Sequence, residues 1–375
     1  TIRNCAIINN VARENGGGLY CIDRGARVMN CELSSNIAGG DGGAISCTSG
    51  TLHLLQTTLT NNAAEGRGGA VFASDSSLEV TRCRFGANVS TGGGAVANFD
   101  GALTLTNCAM ADNYAHDDGG ALYNRNGEAV SVVNCTFRRN AASDLGGGIY
   151  NSNGDQQVNV VNSILWANSD ASGTTLSSQI HGGEQTINYT CVQGWDGSRE
   201  GQGNIGMAPG FVDADAGNSL EADTPTTSVD FDALVLTARS PCIDAGDNNA
   251  VLSEAFDPDG NPRVLDDPAV DDTGRGSRPI VDMGAFERCG LLAHWKLDEA
   301  GGTRAHDSAS LYDGNILGAA AWTTQGAVRG ALAFDGNDDA VRIDAESAFD
   351  MRWGITVAAW VRIDAVERDW QTVIA

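Results

Sequence analysis

Three pairs of adjacent aspartates, Asp117-Asp118, Asp271-Asp272 and Asp338-Asp339, are the residues of this chain best suited to do chemistry. Paired carboxylates can serve as acid and base on a glycosidic bond, and together with calcium they can hold an acidic polysaccharide. A further run, Asp257-Pro258-Asp259-Gly260-Asn261, has the look of a calcium loop but lacks the remaining ligands and the closing glutamate of a full one. A turn held by Asp and Gly is the simpler reading of it. The five histidines (His53, His116, His181, His294 and His306) are scattered, with no serine or cysteine beside them in a nucleophile pattern. The ten cysteines and the histidines show no CxxC or HxxxH spacing, so zinc is not expected.

What would position these groups is a repeat. Gly-Gly followed by small and aliphatic residues returns at Gly42-Gly43-Ala44-Ile45, Gly68-Gly69-Ala70-Val71 and Gly119-Gly120-Ala121-Leu122. A second motif returns with it, clearest in Asn30-Cys31-Glu32-Leu33-Ser34-Ser35-Asn36 and Asn134-Cys135-Thr136-Phe137-Arg138-Arg139-Asn140. One column reads Cys5, Cys31, Thr57, Cys83, Cys108, Cys135 and Ser163, in steps of 25 to 28 residues. Asparagine follows five positions later every time, from Asn10 to Asn168, and an aliphatic or aromatic residue two positions later. A fixed period of this length means stacked units, none able to bury its apolar face alone. Apolar spacing by two is strand spacing, so each unit should hold three short strands. Gly-Gly in every unit disfavours helices, and a propeller blade needs about 40–45 residues. The expected architecture is a right-handed parallel β-helix of seven coils, about 30–35 Å long at the spacing of neighbouring strands.

The columns bear on the chemistry as well. Asp118 and Asp41 each stand just before a glycine pair, and Arg67 holds that place in another coil. Exchange of Asp for Arg fits a solvated turn better than a catalytic carboxylate. Outward strand positions such as Glu79, Arg84, Thr104, Thr106, Ser131 and Asn159 form no cluster of charge. We therefore assign no catalytic and no cofactor-binding residue, with metal ligands left open and calcium the one ion the acidic loops could take. Cysteine exchanging with Thr and Ser in one column, and with Ala or Asn in another (Cys21, Cys47), reads as a small buried side chain, so free stacked thiols are expected. In-register strands hold neighbouring Cβ atoms wider apart than a bridge wants. Cys191, Cys242 and Cys289 lie outside the repeat and are better disulfide candidates, although three cannot all pair internally.

At these residues the chain resembles known families. Gly42-Gly43-Ala44-Ile45 and Phe85-Gly86-Ala87-Asn88 resemble the GGA[ILV] and FxxN signatures of polymorphic outer-membrane-protein repeats. Residues 188–287 resemble the choice-of-anchor Q region of secreted β-helix proteins, in runs such as Ser240-Pro241-Cys242-Ile243-Asp244-Ala245-Gly246-Asp247 and Asp282-Met283-Gly284-Ala285-Phe286-Glu287. Beyond Cys289-Gly290, the runs His294-Trp295-Lys296-Leu297, Leu332-Ala333-Phe334-Asp335-Gly336 and Val357-Ala358-Ala359-Trp360-Val361 are similar to the first half of a LamG-like, concanavalin A-type jelly roll. The domains expected are thus 1–187, β-helix repeats; 188–289, C-terminal coils with an acidic, loop-rich region; and 290–375, half of an antiparallel sandwich. Such a sandwich needs two full sheets, and Thr1 already sits on a coil, so an interior piece of a longer protein is expected.

What the resemblances imply is an extracellular or cell-surface, outer-membrane-associated protein, and they bring no catalytic motif. The formal net charge is −25, with 21 acids against 6 arginines in residues 169–290. That disfavours nucleic acid or an anionic membrane as partner, and no apolar run approaches the length of a spanning helix. Five of seven tryptophans lie in the last segment (Trp295, Trp322, Trp353, Trp360 and Trp370), where they could stack on sugars but serve more simply as core. The expected function is a non-enzymatic β-helical stalk bearing a module that binds polysaccharide or a cell-surface protein. The alternative is a polysaccharide lyase or glycoside hydrolase acting in the β-helix groove.

Overall fold

The computed structural model describes residues 1–152, 157–212, 229–251, 256–267, 270–288, 295–299, 301–307, 312–326, 330–335, 337–344, 359 and 361–362. The chain divides into two compact units, Thr1–Gly290 and Leu291–Ala375. His294, Cys289, Trp353, Trp360 and Trp370 lie outside the described residues.

The first unit is a right-handed parallel β-helix of about seven turns. Each coil contributes one strand to each of four parallel sheets. Sheet one has eight strands, from Ile2–Arg3 to Glu184–Asn188, and sheet two has eight, from Ala6–Ile8 to Cys191–Val192. Sheet three has six strands of two residues, from Val11–Ala12 to Ala141–Ala142, and sheet four has seven, from Leu19–Ile22 to Ile180–His181. A fourth strand per coil departs from the three expected. Runs such as Val89–Ser90 are too short to show a period of two.

Register is held by identical positions. Leu33, Leu59, Phe85, Met110, Phe137 and Leu165 pair in succession across sheet two, and all are buried in one core. The glycine pair has two separate jobs. Gly42 takes φ +74°, which favours glycine. Gly43 lies so close to the next coil that a Cβ would come within 2.1 Å of the Gly69 carbonyl oxygen.

The asparagine column runs through the interior as a ladder. Asn62 donates both its amide N–H and its Nδ2 to Asn88 Oδ1, each at 3.0 Å, and Nδ2 also reaches the Leu33 carbonyl. The pattern continues to Asn168, where Gln179 from the short helix Leu176–Gln179 supplies the accepting oxygen at 2.8 Å. The cysteine column is an acceptor column too. Cys31 donates its N–H to Thr57 Oγ1, Cys108 to Cys135 Sγ, and Cys135 to Ser163 Oγ. Sulfur and hydroxyl exchange along it because each can accept the amide of the neighbouring coil.

The described residues beyond Val192 add one parallel bridge, Cys191 to Ile205, and no further strand to these sheets. They fold back over the outer face of sheet two. Ala109 and Ala111 lie beneath Leu234, Ala285 and Phe286, and Ile164 and Cys191 pack with Phe211, Leu236, Cys242 and Met283. This cover is pinned by polar contacts as well. Asn162 donates to the Asp247 carbonyl and accepts the Asp247 N–H, and Ala285 N–H donates to Thr136 Oγ1. Nine cysteines are described and all are free thiols. Cys191 and Cys242, disulfide candidates by position, are buried and unbridged; the Cys242 thiol, with burial, pushes Cys191 well above its ordinary value.

In the second unit, strands Arg304–Ala305, Gly314–Leu317 and Ala340–Arg342 form one small antiparallel sheet. Ala321–Thr323 and Ala331–Ala333 form another. Trp295 Nε1 donates to the Tyr312 carbonyl and Trp322 Nε1 to that of Gly302, so both indoles are tied into the unit's own loops. Among the described residues no helix is long and apolar enough to cross a membrane.

Candidate functional site

Sheet four follows directly on each glycine turn, and alternation along its strands sends every second side chain outward. The outward column in register reads Tyr20, Ser46, Phe72, Ala97, Tyr123, Tyr150 and His181. Ala97 leaves a gap, and Phe99, two residues on and on the same face, fills it. The rings then form a continuous row: Phe72 to Phe99 at 5.4 Å, Phe99 to Tyr123 at 5.6 Å, Tyr123 to Tyr150 at 5.2 Å and Tyr150 to His181 at 5.6 Å. The last three pairs are stacked, with interplanar angles of 22°, 29° and 15°.

Charge lies along this row. Arg67 and Arg125 both stand over the Phe99 ring, at 5.1 and 5.6 Å from its centre, a contact that places two guanidinium groups at the solvent edge of an aromatic strip. On the other side, Asp118 precedes the glycine turn that leads to Tyr123. Its carboxyl is raised by burial, then by Asp144 and Asp117, against the Leu145 amide and His181, which lower it. Tyr150 is raised by burial, then by Asp118 and Tyr123. Five coils thus bring together a half-buried strip of ring edges, phenol hydroxyls, guanidinium groups and carboxylates.

Because the rings stack on one another, their faces are occupied, and what they offer to solvent is edges and polar tips. That arrangement suits hydrogen bonding to an extended polar ligand running along the coil axis. It does not suit a base. A phenol that abstracts a proton needs a lowered value, and Tyr150 moves the other way. Asp118 Oδ1 also accepts the Leu145 N–H at 3.1 Å, as Asp41 Oδ1 accepts that of Arg67 at 2.7 Å. These turn carboxylates cap the amide of the next coil.

The other sequence candidates are dispersed. His53 pairs with Glu79 on the outer face of sheet one at 2.6 Å. His116 packs edge-on against Tyr114, and His306 contacts Asp313 in the second unit. Asp338 and Asp339 join Asp335 in an exposed group there. Asp257 is buried and its carboxylate accepts N–H groups of Asp259, Asn261 and Glu287 and the Asn261 amide nitrogen, so the loop 257–261 is a turn wound around its own aspartate. Arg84 pairs with Asp259, which anchors that turn to sheet two. The pair Asp271-Asp272 separates: Asp271 is exposed, and Asp272 meets Arg278 at 2.5 Å.

Reasoning from sequence missed the ring row. It compared outward positions only on sheets one and two, although the signal stands one residue after each glycine-aliphatic motif, in Val71-Phe72, Leu122-Tyr123 and Ile149-Tyr150. It missed equally a buried acidic knot in the cover. Arg263, fully buried, donates to the carbonyls of Asp282, Gly284 and Ala285 and lies 3.5 Å from Glu287. Beside it, Asp244 is fully buried and pushed up to about 8, by burial first and then by the Asp282 carboxylate.

No curated protein and no solved structure matches the chain. Residues 1–165, which carry every ring of the row but His181, match the family model described as right handed beta helix region.

Proposed function

We propose that this chain is a non-enzymatic recognition protein of the cell surface or extracellular space. Its solenoid is a stalk, and the outer face of sheet four binds an extended carbohydrate. The observation that carries this is the strip Phe99–Tyr123–Tyr150–His181 with Arg67, Arg125, Asp117 and Asp118 alongside it. Phenols, guanidinium groups and carboxylates are the groups that hydrogen-bond vicinal hydroxyls, and a repeating row presents them to a repeating polymer. Aromatic residues and arginine are also those that dominate binding interfaces, so a cell-surface protein is the competing partner. The antiparallel sheets of the second unit and its resemblance to a LamG-like jelly roll fit the same surface role.

The enzyme reading, a lyase or glycoside hydrolase in this groove, draws on one observation, the raised carboxyl of Asp118 next to Tyr150 and His181. Affinity electrophoresis of the full chain through gels containing soluble polysaccharides separates the readings. Retardation lost in the double variant Tyr123→Ala/Tyr150→Ala but kept in Trp322→Ala supports binding on sheet four. Loss in Trp322→Ala alone moves the site to the second unit. Release of reducing or unsaturated ends, abolished by Asp118→Asn, makes the protein an enzyme.

A further inference from the structure

We infer that the cover over sheet two contains a calcium site formed by Asp244, Asp266 and Asp272. One carboxylate oxygen from each lies within 4.8 Å of the others. Two oxygens bound to one ion at about 2.4 Å can stand at most about 4.8 Å apart, so the three fit around a single calcium.

A cluster of acids on a surface needs no ion, but this one runs from exposed Asp266 through half-exposed Asp272 to buried Asp244. Asp244 is fully buried, and both of its carboxylate oxygens are without a hydrogen-bond partner. The Asp267 backbone N–H approaches this carboxylate and favours its ionised form, though not in the geometry of a full hydrogen bond, and it leaves at least one oxygen with no donor at all. Oδ1 of Asp272 is buried and unpartnered too. Buried polar groups are nearly always satisfied, and each exception calls for an explanation. Two such carboxylates aimed at one point are explained by a cation between them.

The surrounding charges point the same way. Arg263 lies beside Glu287 and its charge acts on Asp282, Arg288 faces Asp267, Arg275 faces Asp247, and Arg278 faces Asp272 and acts from further off on Asp266. Asp282 gives its oxygens to the amides of Asp244 and Arg288. No arginine among the described residues pairs with Asp244 or Asp266. An all-oxygen donor set selects a hard cation, and ligands drawn from irregular chain suit the adaptable shell of calcium better than the strict octahedron of magnesium. Asp266 is exposed and offers the way in. The three ligands are spread over 29 residues of chain, and the amides of Thr273 and Gly274 already hold the Asp244 carbonyl. The ion therefore ties the loops of the cover together, next to Cys242 and Ile243, which pack onto the solenoid.

Titration calorimetry of the chelator-treated full chain with calcium chloride, alongside thermal unfolding, tests this. Binding with a Kd of about 0.1–1 mM, the range of extracellular modules, and a rise in Tm with calcium are expected. Asp244→Asn and, independently, the exposed Asp266→Asn should weaken binding at least tenfold. Asp244→Asn should leave the calcium-free protein no less stable, because it replaces a poorly satisfied buried carboxyl without changing shape. Binding unaffected by either variant but lost in Asp338→Asn would place the ion in the second unit and overturn the inference. So would a Tm that does not respond to calcium, or an equal response to magnesium.

Discussion

The outer faces of sheets two and four belong to the same coils, yet one is covered and the other half-exposed. On sheet two the outward positions include Gly86, Ala109 and Ala111, and a backbone can come close over them. A Cβ on Gly86 would lie 2.8 Å from Val229 and 3.0 Å from the Phe231 ring. On sheet four the same coils turn Phe99, Tyr123 and Tyr150 outward, and the rings satisfy one another. The lesson is that the inner columns specify the solenoid, while the size of the outward side chain decides what each face is for. A small residue invites a segment of the same chain, and a ring with a polar tip leaves a surface for a partner.

The comparison breaks most severely at Arg263. Arg263→Ala leaves Glu287 buried without its cation and several carbonyls without a donor, a loss of about 3–5 kcal/mol. Limited proteolysis should then cut within residues 229–288 while the strand signal in circular dichroism persists. A single cooperative loss of both would show that cover and solenoid are one folding unit. Gly86→Val sharpens the contrast between faces. Overpacking beneath Val229 and Phe231 should cost about 1–3 kcal/mol in urea unfolding, while Ser74→Val on the outward side of sheet four should stay within about 0.5 kcal/mol. Equal effects at the two sites would mean that the cover is not closely packed.

Tyr123→Ala removes two ring contacts, each about 0.5–1.5 kcal/mol at most where half-exposed. It should therefore cost no more than about 1–3 kcal/mol in urea unfolding, leave the protein folded, and still abolish retardation in polysaccharide gels. The smallest effect belongs to the acceptor column. Thr57→Cys keeps an acceptor for the Cys31 amide and should change stability by less than about 0.5 kcal/mol, whereas Thr57→Val removes it and should cost about 1 kcal/mol. If the two cost the same, the column is only packing.

Much of this was legible in the linear chain, and the reason is translational symmetry. When every coil repeats the same hydrogen bonds, a column such as Leu33–Leu59–Phe85 is one spatial contact written many times, and its period can be read directly. Asn36, Asn62 and Asn88 were recognisable as an inward stack for the same reason. The ring row was legible as well, because Phe72, Tyr123 and Tyr150 recur in step with the glycines. Phe99, displaced two residues to fill the gap at Ala97, and His181, which follows no glycine pair, needed coordinates.

Residues 229–288 have no such period. Arg263 meets Glu287, and Asp244 meets Asp266 and Asp272, through loops that close once each, so spacing carries no trace of the contact. The sequence by itself determined the coil, its core and its ladders, since each is a sum of identical nearest-neighbour interactions. Only the tertiary structure decided which face is covered and which carboxylates are buried together. Those contacts are unique, and burial raises the energy of a charge only after the chain has folded over it.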